Sequence, residues 1–185
     1  NNIDTILAPM VESVYGLKNF IDCSKEMETY YGKTIQKAIN METITAYQHM
    51  DEIYSSVYFK ELRNVTVGRS DFSGSMGKSV DDPEVMKMTS DFVHNAKKLG
   101  KFTSVGGKIT VKNIENIKKV IAPDVINTRH IVFDIYQGND LNKSLIEGLM
   151  FEIELYKAFK KLSPSKRKAY EARIEDSLKR AGLGG

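Results

Sequence analysis

Short β-branched and aliphatic runs alternate along the chain with longer stretches in which apolar residues recur every three or four positions. Ile6-Leu-Ala-Pro-Met-Val11 reads as a buried strand, with Pro9 near its end. Ser13 is a good N-cap for a helix carried by Val14, Leu17, Phe20, Ile21 and Met27 and ended at Tyr30-Tyr31-Gly32. Thr34 to Met41 gives a second strand, and Ile44, Tyr47, Met50, Ile53 and Val57 a second amphipathic helix. Asn64 to Val67 is the third strand. It empties into a loop of small residues, Gly68 to Gly77, with Asp71 at its mouth. Asp82-Pro83-Glu84 marks a helix start, and Val85, Met88, Phe92, Val93, Ala96 and Leu99 form its apolar stripe. Lys101 to Val105 is the fourth strand, closed by Gly106-Gly107. Val111, Ile114, Ile117, Val120 and Ile121 predict a short helix before Pro123. Val125 to Ile135 holds the fifth strand, with Thr128-Arg129-His130 inside it. Leu141, Leu145, Leu149, Ile153, Tyr156 and Phe159 then share one helical face, and Ser163-Pro164 opens a last, more polar helix through Arg180.

Strand followed by helix, five times over, implies parallel βαβ units with right-handed crossovers. Two closures fit: a doubly wound sheet, or part of a (β/α)8 barrel. No G-x-G-x-x-G follows the first strand, which disfavours a dinucleotide fold. Polar groups instead sit at the C-terminal ends of successive strands: Glu12, Glu42, Asp71 and Gly106-Gly107. In a barrel those ends converge on one mouth, where barrel active sites lie. The expected fold class is therefore α/β, a TIM-type barrel seen as a C-terminal fragment. Strands four to eight occupy residues 1–138, and a helical extension over 139–181 packs on the barrel or on a neighbouring subunit. A whole barrel takes about 250 residues, against 185 here. Five parallel strands would leave two open edges, so the chain alone is expected to be incomplete, poorly stable or oligomeric.

Composition narrows the partners. Hydrophobic residues make up 41% and charged residues 28%, ordinary for a soluble globular protein. The formal net charge is +3, with no alternation of basic and aromatic residues, so no nucleic-acid partner is expected. Cys23 stands alone, which rules out an intrachain disulfide and points to a reducing compartment. No apolar run approaches a membrane span and no signal-peptide pattern opens the chain, so a cytoplasmic location is expected. The chain starts at Asn1 and enters an apolar run at Ile3, which suggests a fragment.

Glu42 and Asp71 stand at consecutive strand ends. Two carboxylates so placed, without His or Cys beside them, favour Mg²⁺ or Mn²⁺ with water completing the shell. Such an ion can act as a Lewis acid on a keto-acid or thioester carbonyl. Backbone amides at Arg69, Ser70 and Asp71, beside Gly68, could hold a carboxylate of the same ligand. Plainer roles stand beside these. Asp71 could cap a helix, and Glu42 or Glu12 could sit at a helix start for its dipole. Glu12 could equally line the substrate site. Arg129 binds an anion at the mouth or pairs with an acid. His130 is expected to be structural, His49 and His94 to lie at the surface, and Cys23 to serve packing.

Three stretches carry a family resemblance: Pro9-Met-Val-Glu-Ser13, Asn40-Met-Glu-Thr43 and Gly68-Arg-Ser-Asp-Phe-Ser-Gly-Ser-Met-Gly77. In order and spacing they resemble successive motifs of the HpcH/HpaI aldolase and citrate lyase β-subunit family, over roughly residues 3–135. The resemblance implies a TIM barrel that makes or breaks carbon–carbon bonds through a metal-stabilised enolate. It implies metal ligands at Glu42, matching the Glu of an Ile-Glu-Thr motif, and at Asp71, matching the Asp of Gly-x-x-Asp-Leu-Ser. It also places a keto-acid carboxylate at the backbone of Ser70 and Asp71. Met41, Arg69 and Met10 depart from the family's usual residues and leave the subfamily open. The family's catalytic Arg and His lie on earlier strands, so the catalytic groups are expected upstream of Asn1, and the chain alone is expected to be inactive. The function expected is a divalent-metal-dependent lyase acting on a 2-keto acid or acyl thioester, as a homo-oligomer. The alternatives are a non-catalytic binding or assembly subunit on the same scaffold, and a phosphoenolpyruvate- or pyruvate-using metal enzyme.

Overall fold

The computed structural model describes residues 3–137 and 140–184. Its centre is one six-stranded sheet: β1 (Thr5–Ala8), β2 (Gln36–Met41), β3 (Asn64–Gly68), β4 (Phe102–Gly106), β5 (Val125–Asn127) and β6 (Val132–Asp134). The spatial order is the order in the chain. The first four pairings are parallel, and β5 pairs β6 antiparallel. A doubly wound sheet reverses its strand order at a switch point. Strands β1 to β5 have no such reversal, so every right-handed crossover lands on the same face.

The strand residues explain which face that is. Ile39 and Met41 of β2, Val65 and Val67 of β3, Val105 of β4 and Ile126 of β5 alternate with polar neighbours and are buried. They form one core with Leu17 and Ile21 of α1 (Val14–Tyr31), Phe72 of α4 (Arg69–Ser75), and Val85, Phe92 and Val93 of α5 (Pro83–Lys98). The opposite parity points away from these helices and carries Asn40, Thr66 and Ser104 in adjoining register. The Thr66 and Ser104 hydroxyls share a 2.6 Å hydrogen bond. Nearer the N-terminal ends this second face exposes Leu7 (45%) and Phe102 (42%).

Several expected elements hold in type and shift in detail. Ser13 caps α1 by accepting from Gly16 N, and Asp82 caps α5 by accepting from Glu84 N. The second helix breaks at His49 into α2 (Ile44–Gln48) and α3 (Met50–Ser55), then a 3-10 turn Val57–Glu61. The short helix before Pro123 is one α-turn, α6 (Ile114–Asn116), widening into a π-turn at Ile117–Ile121.

The fifth strand needs a larger correction. Thr128-Arg129-His130 is not inside a strand. It is the turn of a hairpin between β5 and β6, closed by Thr128 N donating to Ile131 O at 2.9 Å. The Thr128 hydroxyl adds a bond to the Ile131 carbonyl at 3.2 Å. A Thr side chain that returns to its own backbone competes with the ladder and favours a turn. Cys23 is exposed on α1 and serves no packing.

Beyond the hairpin, α7 (Leu141–Leu162) and α8 (Arg167–Arg180) pack on each other. The end of α8 is tied back to the loop after β4: Val111 N donates to Arg180 O at 3.1 Å, and Arg180 Nε to Ile109 O at 2.8 Å. Helix α8 thus lies beside the C-terminal ends of the strands.

Candidate active site

The C-terminal ends of β2 to β5 and the flank of α8 enclose an open cleft of about 660 Å³. Asn40, Thr66, Gly68, Ser70, Asp71, Gly107 and Asn127 line its sheet side. Lys108, Arg129, Arg173, Asp176 and Arg180 line its other side.

Glu42 follows directly on β2, level with Gly68 at the end of β3. It is 4% exposed. Its Oε1 accepts from Met10 N at 3.0 Å and its Oε2 from Asn40 Nδ2 at 3.2 Å. A carboxylate oxygen has two lone pairs, so each keeps one for another donor or a cation. The carboxylate lies against the Cα of Gly68: a Cβ there would sit 2.3 Å from Glu42 Oε2. Gly68 is therefore required by the room the Glu42 side chain occupies. Three residues later Asp71 stands in the first turn of α4, exposed at the cleft wall. The strand register thus carries both sequence-predicted metal ligands to one end of the sheet.

The other side chains divide. Ser70 lies on the cleft wall. Gly107 packs over the first turn of α4: a Cβ on Gly107 would stand 2.5 Å from Ser70 N and 3.1 Å from Arg69 N, and its φ is +93°. Glu12 does not line the cleft. Its Oε1 accepts from Thr43 Oγ1 at 2.6 Å, and Thr43 is the N-cap of α2. Arg69 turns away altogether. It shares the parity of Val65 and Val67 and is fully buried on the helix side of the sheet. There Nη2 donates to Val80 O at 2.6 Å and to Asp81 Oδ1 at 2.8 Å, while among the described residues Nε and Nη1 have no partner. Burial pulls this guanidinium below its ordinary value, and the Asp81 carboxylate opposes that pull. Asp81 also accepts from Asn113 Nδ2, so the loops after β3 and β4 are joined behind the cleft.

Sequence reasoning passed over several cleft residues. Asn40 and Asn127 each have a buried Oδ1 with no hydrogen-bond partner among the described residues, and both line the cleft. Asn40 sits two positions before Glu42, on the same strand face, which was a usable signal. Arg173 and Arg180 lie on a helix whose sequence gives no hint that it approaches the strand ends.

The donor chemistry suits a hard divalent cation: Glu42, Asp71 and the amide oxygen of Asn40 could each offer an oxygen. Among the described residues no group of three or more His, Cys, Asp and Glu side chains is placed to hold a metal. A metal here would complete its shell with neutral oxygens, water or substrate.

No protein-family model matches this sequence, and no curated protein matches it. Solved structures do. A citrate lyase from Burkholderia xenovorans LB400 superposes with a TM-score of 0.58 at 10% identity, over 96% of this chain and 64% of that one. An HpcH/HpaI aldolase/citrate lyase family protein from Burkholderia cenocepacia J2315 gives 0.55 at 9% identity, over 67% and 58%. A Haloferax volcanii malate synthase, solved as a magnesium and glyoxylate complex, gives 0.50 at 11% identity, over 97% and 67%. The chain therefore spans 58% and 64% of the lengths of the two Burkholderia proteins. At these identities the likeness is one of fold: a mostly parallel α/β sheet of the kind found in TIM-barrel lyases and synthases. Among the described residues no helix is long and apolar enough to cross a membrane.

Proposed function

We propose that this chain forms part of a divalent-metal-dependent carbon–carbon lyase of the aldolase and citrate lyase type, acting on a 2-keto acid or an acyl thioester. Strands β1 to β5 are then an arc of a (β/α)8 barrel, and the cleft at their C-terminal ends is its mouth. The observation that carries this reading is that Glu42 and Asp71 stand just past the C-terminal ends of the adjoining strands β2 and β3, with Gly68 leaving the room that the Glu42 carboxylate fills. The fold shared with lyases and with a magnesium-bound malate synthase supports it.

In this reading Glu42, Asp71 and water hold Mg²⁺ or Mn²⁺. When bound, the ion supplies Lewis-acid polarisation of the substrate carbonyl. Asn40 fixes the Glu42 carboxylate through its amide N–H and keeps its own oxygen for the metal shell or a substrate hydroxyl. Ser70 and the first amides of α4 orient the substrate carboxylate beside the carbonyl. The base and the activating guanidinium for bond cleavage are expected on the part of the barrel this arc leaves open.

The test is Mn²⁺ titration by calorimetry. Wild type is expected to bind one ion, Asp71→Asn to lose at least tenfold in affinity, and Lys160→Ala to bind as wild type. No binding by intact wild type would overturn the metal site and favour a non-catalytic role for the scaffold.

A further inference from the structure

The cleft has two chemically different ends. Oxygen acceptors gather at the β2 and β3 end. Lys108, Arg129, Arg173 and Arg180 gather at the α8 end, with Asp176 as the carboxylate among them. Two of these guanidinium groups are set by one stripe of α7.

Glu152 on α7 is fully buried. Its Oε1 accepts from the Thr128 hydroxyl at 2.7 Å and from His130 N at 2.7 Å, gripping the residues on both sides of Arg129. Among the described residues its Oε2 has no partner. Leaving a buried polar group unsatisfied carries a desolvation penalty, so a half-satisfied carboxylate is a costly way to hold an ordinary turn. Its effect is to fix the hairpin tip with Arg129 at the cleft wall. Among the described residues Arg129 makes no hydrogen bond or ion pair, so its guanidinium is unspent.

One helical turn further along α7, Tyr156 is buried with its ring under two groups. The His130 ring meets it edge-on at 5.5 Å, and the Arg173 guanidinium lies over it at 5.8 Å. A guanidinium stacked on an aromatic face still has N–H groups to offer a planar anion. Arg180 is anchored by Nε on the Ile109 carbonyl, with Nη1 3.7 Å from Asp176. Arg129, Arg173 and Arg180 thus line one cleft together with the single carboxylate of Asp176, an excess of positive charge that is stabilised when an anion fills it.

We propose that the α8 end of the cleft is an anion subsite, in which Arg129, Arg173 and Arg180 bind the second acidic group of the substrate. The substrate class is then an acid with two anionic groups: one carboxylate at the metal end and a phosphate or carboxylate at the α8 end. Glu152 is a positioning residue for Arg129. The identity of the bound group as substrate rests on the lyase reading; the existence of the subsite does not.

The experiment is calorimetry at low ionic strength on the full chain, with inorganic phosphate and separately with succinate. Wild type is expected to bind at least one of them, and Arg129→Ala/Arg173→Ala to bind it at least tenfold more weakly. Lys18→Ala, a surface substitution on α1, is expected to bind it as wild type does. Tighter phosphate binding assigns a phosphate ester, and tighter succinate binding assigns a carboxylate. Should the double variant melt early, the single Arg129→Ala decides. No binding of either anion by wild type, or binding that the arginine substitutions leave unchanged, overturns the subsite. Loss of Mn²⁺ binding with anion binding intact removes the lyase reading and leaves the subsite standing.

Discussion

A side chain at position 68 would compete with the Glu42 carboxylate for the same space. The missing Cβ is the residue-scale fact on which the metal-end geometry depends. Gly68→Ala is expected to push Glu42 off its bonds to Met10 N and Asn40 Nδ2, at a cost of about 1–3 kcal/mol. Mn²⁺ affinity should fall at least tenfold, read by calorimetry beside urea unfolding. Affinity equal to wild type would mean that Glu42 is not a ligand. Arg69 gives a second residue-scale prediction. Its guanidinium is buried with two nitrogens unpaired, so replacing it by an apolar side chain of similar length should be nearly neutral or stabilising. Asp81→Ala should cost more, about 1–3 kcal/mol, because it removes the Asn113 bonds that join the two loops and leaves the buried guanidinium unbalanced. Chemical denaturation of both variants checks the order, and Arg69→Met proving the more damaging would contradict it. The orientation of Arg69 was legible in its parity with Val65 and Val67, had the strand's two-residue period been carried one step past Gly68. Glu152 also left a signal. It falls at the spacing of Leu145, Leu149 and Tyr156, a charge inside an apolar stripe.

At the scale of elements, strand–helix alternation gave the five parallel strands and their order, because buried parallel strands and amphipathic helices have distinct periods. The hairpin at Thr128–Ile131 escaped it. Its turn contains no Gly or Pro, and what closes it is a Thr side chain together with a carboxylate from a helix more than twenty residues further on. The joint between α1 and β2 gives a pH prediction. The Lys37 ammonium, hydrogen-bonded to Glu28 at 2.7 Å, and then the Ile35 N–H hold the Glu28 carboxyl below its ordinary value of 4.5. A carboxyl lowered in the folded state takes up its proton more readily in the unfolded chain. Its contribution to stability is therefore present above about pH 4.5 and lost as pH falls through the folded value. Substituting Lys37→Met should flatten the acid limb of a stability-against-pH curve. A limb as steep as that of wild type would show that the pair does not contribute.

For the whole molecule, the sheet keeps one face under helices and leaves the other partly open. Among the described residues strand β1 has its outer edge unpaired, and Leu7 and Phe102 stand exposed on the open face. Unpaired edges with apolar neighbours template further pairing. Sedimentation of the 185-residue chain is expected to show association that grows with concentration, while Leu7→Lys/Phe102→Lys sediments closer to a monomer. A wild type that stays monomeric at high concentration would contradict this. The position of Glu42 and Asp71 at the C-terminal ends of successive strands was readable from the order of strands and acidic residues along the chain. The basic half of the cleft was not, because only tertiary packing brings α8 to the strand ends.

The central claim is that the carboxylates of Glu42 and Asp71 bind one ion at the mouth of a barrel arc. Anomalous diffraction from crystals grown with Mn²⁺ tests it most directly. The account predicts a single strong peak at the C-terminal ends of β2 and β3, within bonding distance of both carboxylates and missing from Asp71→Asn crystals. A peak elsewhere, or carboxylates ordered with no ion between them in saturating Mn²⁺, would contradict it.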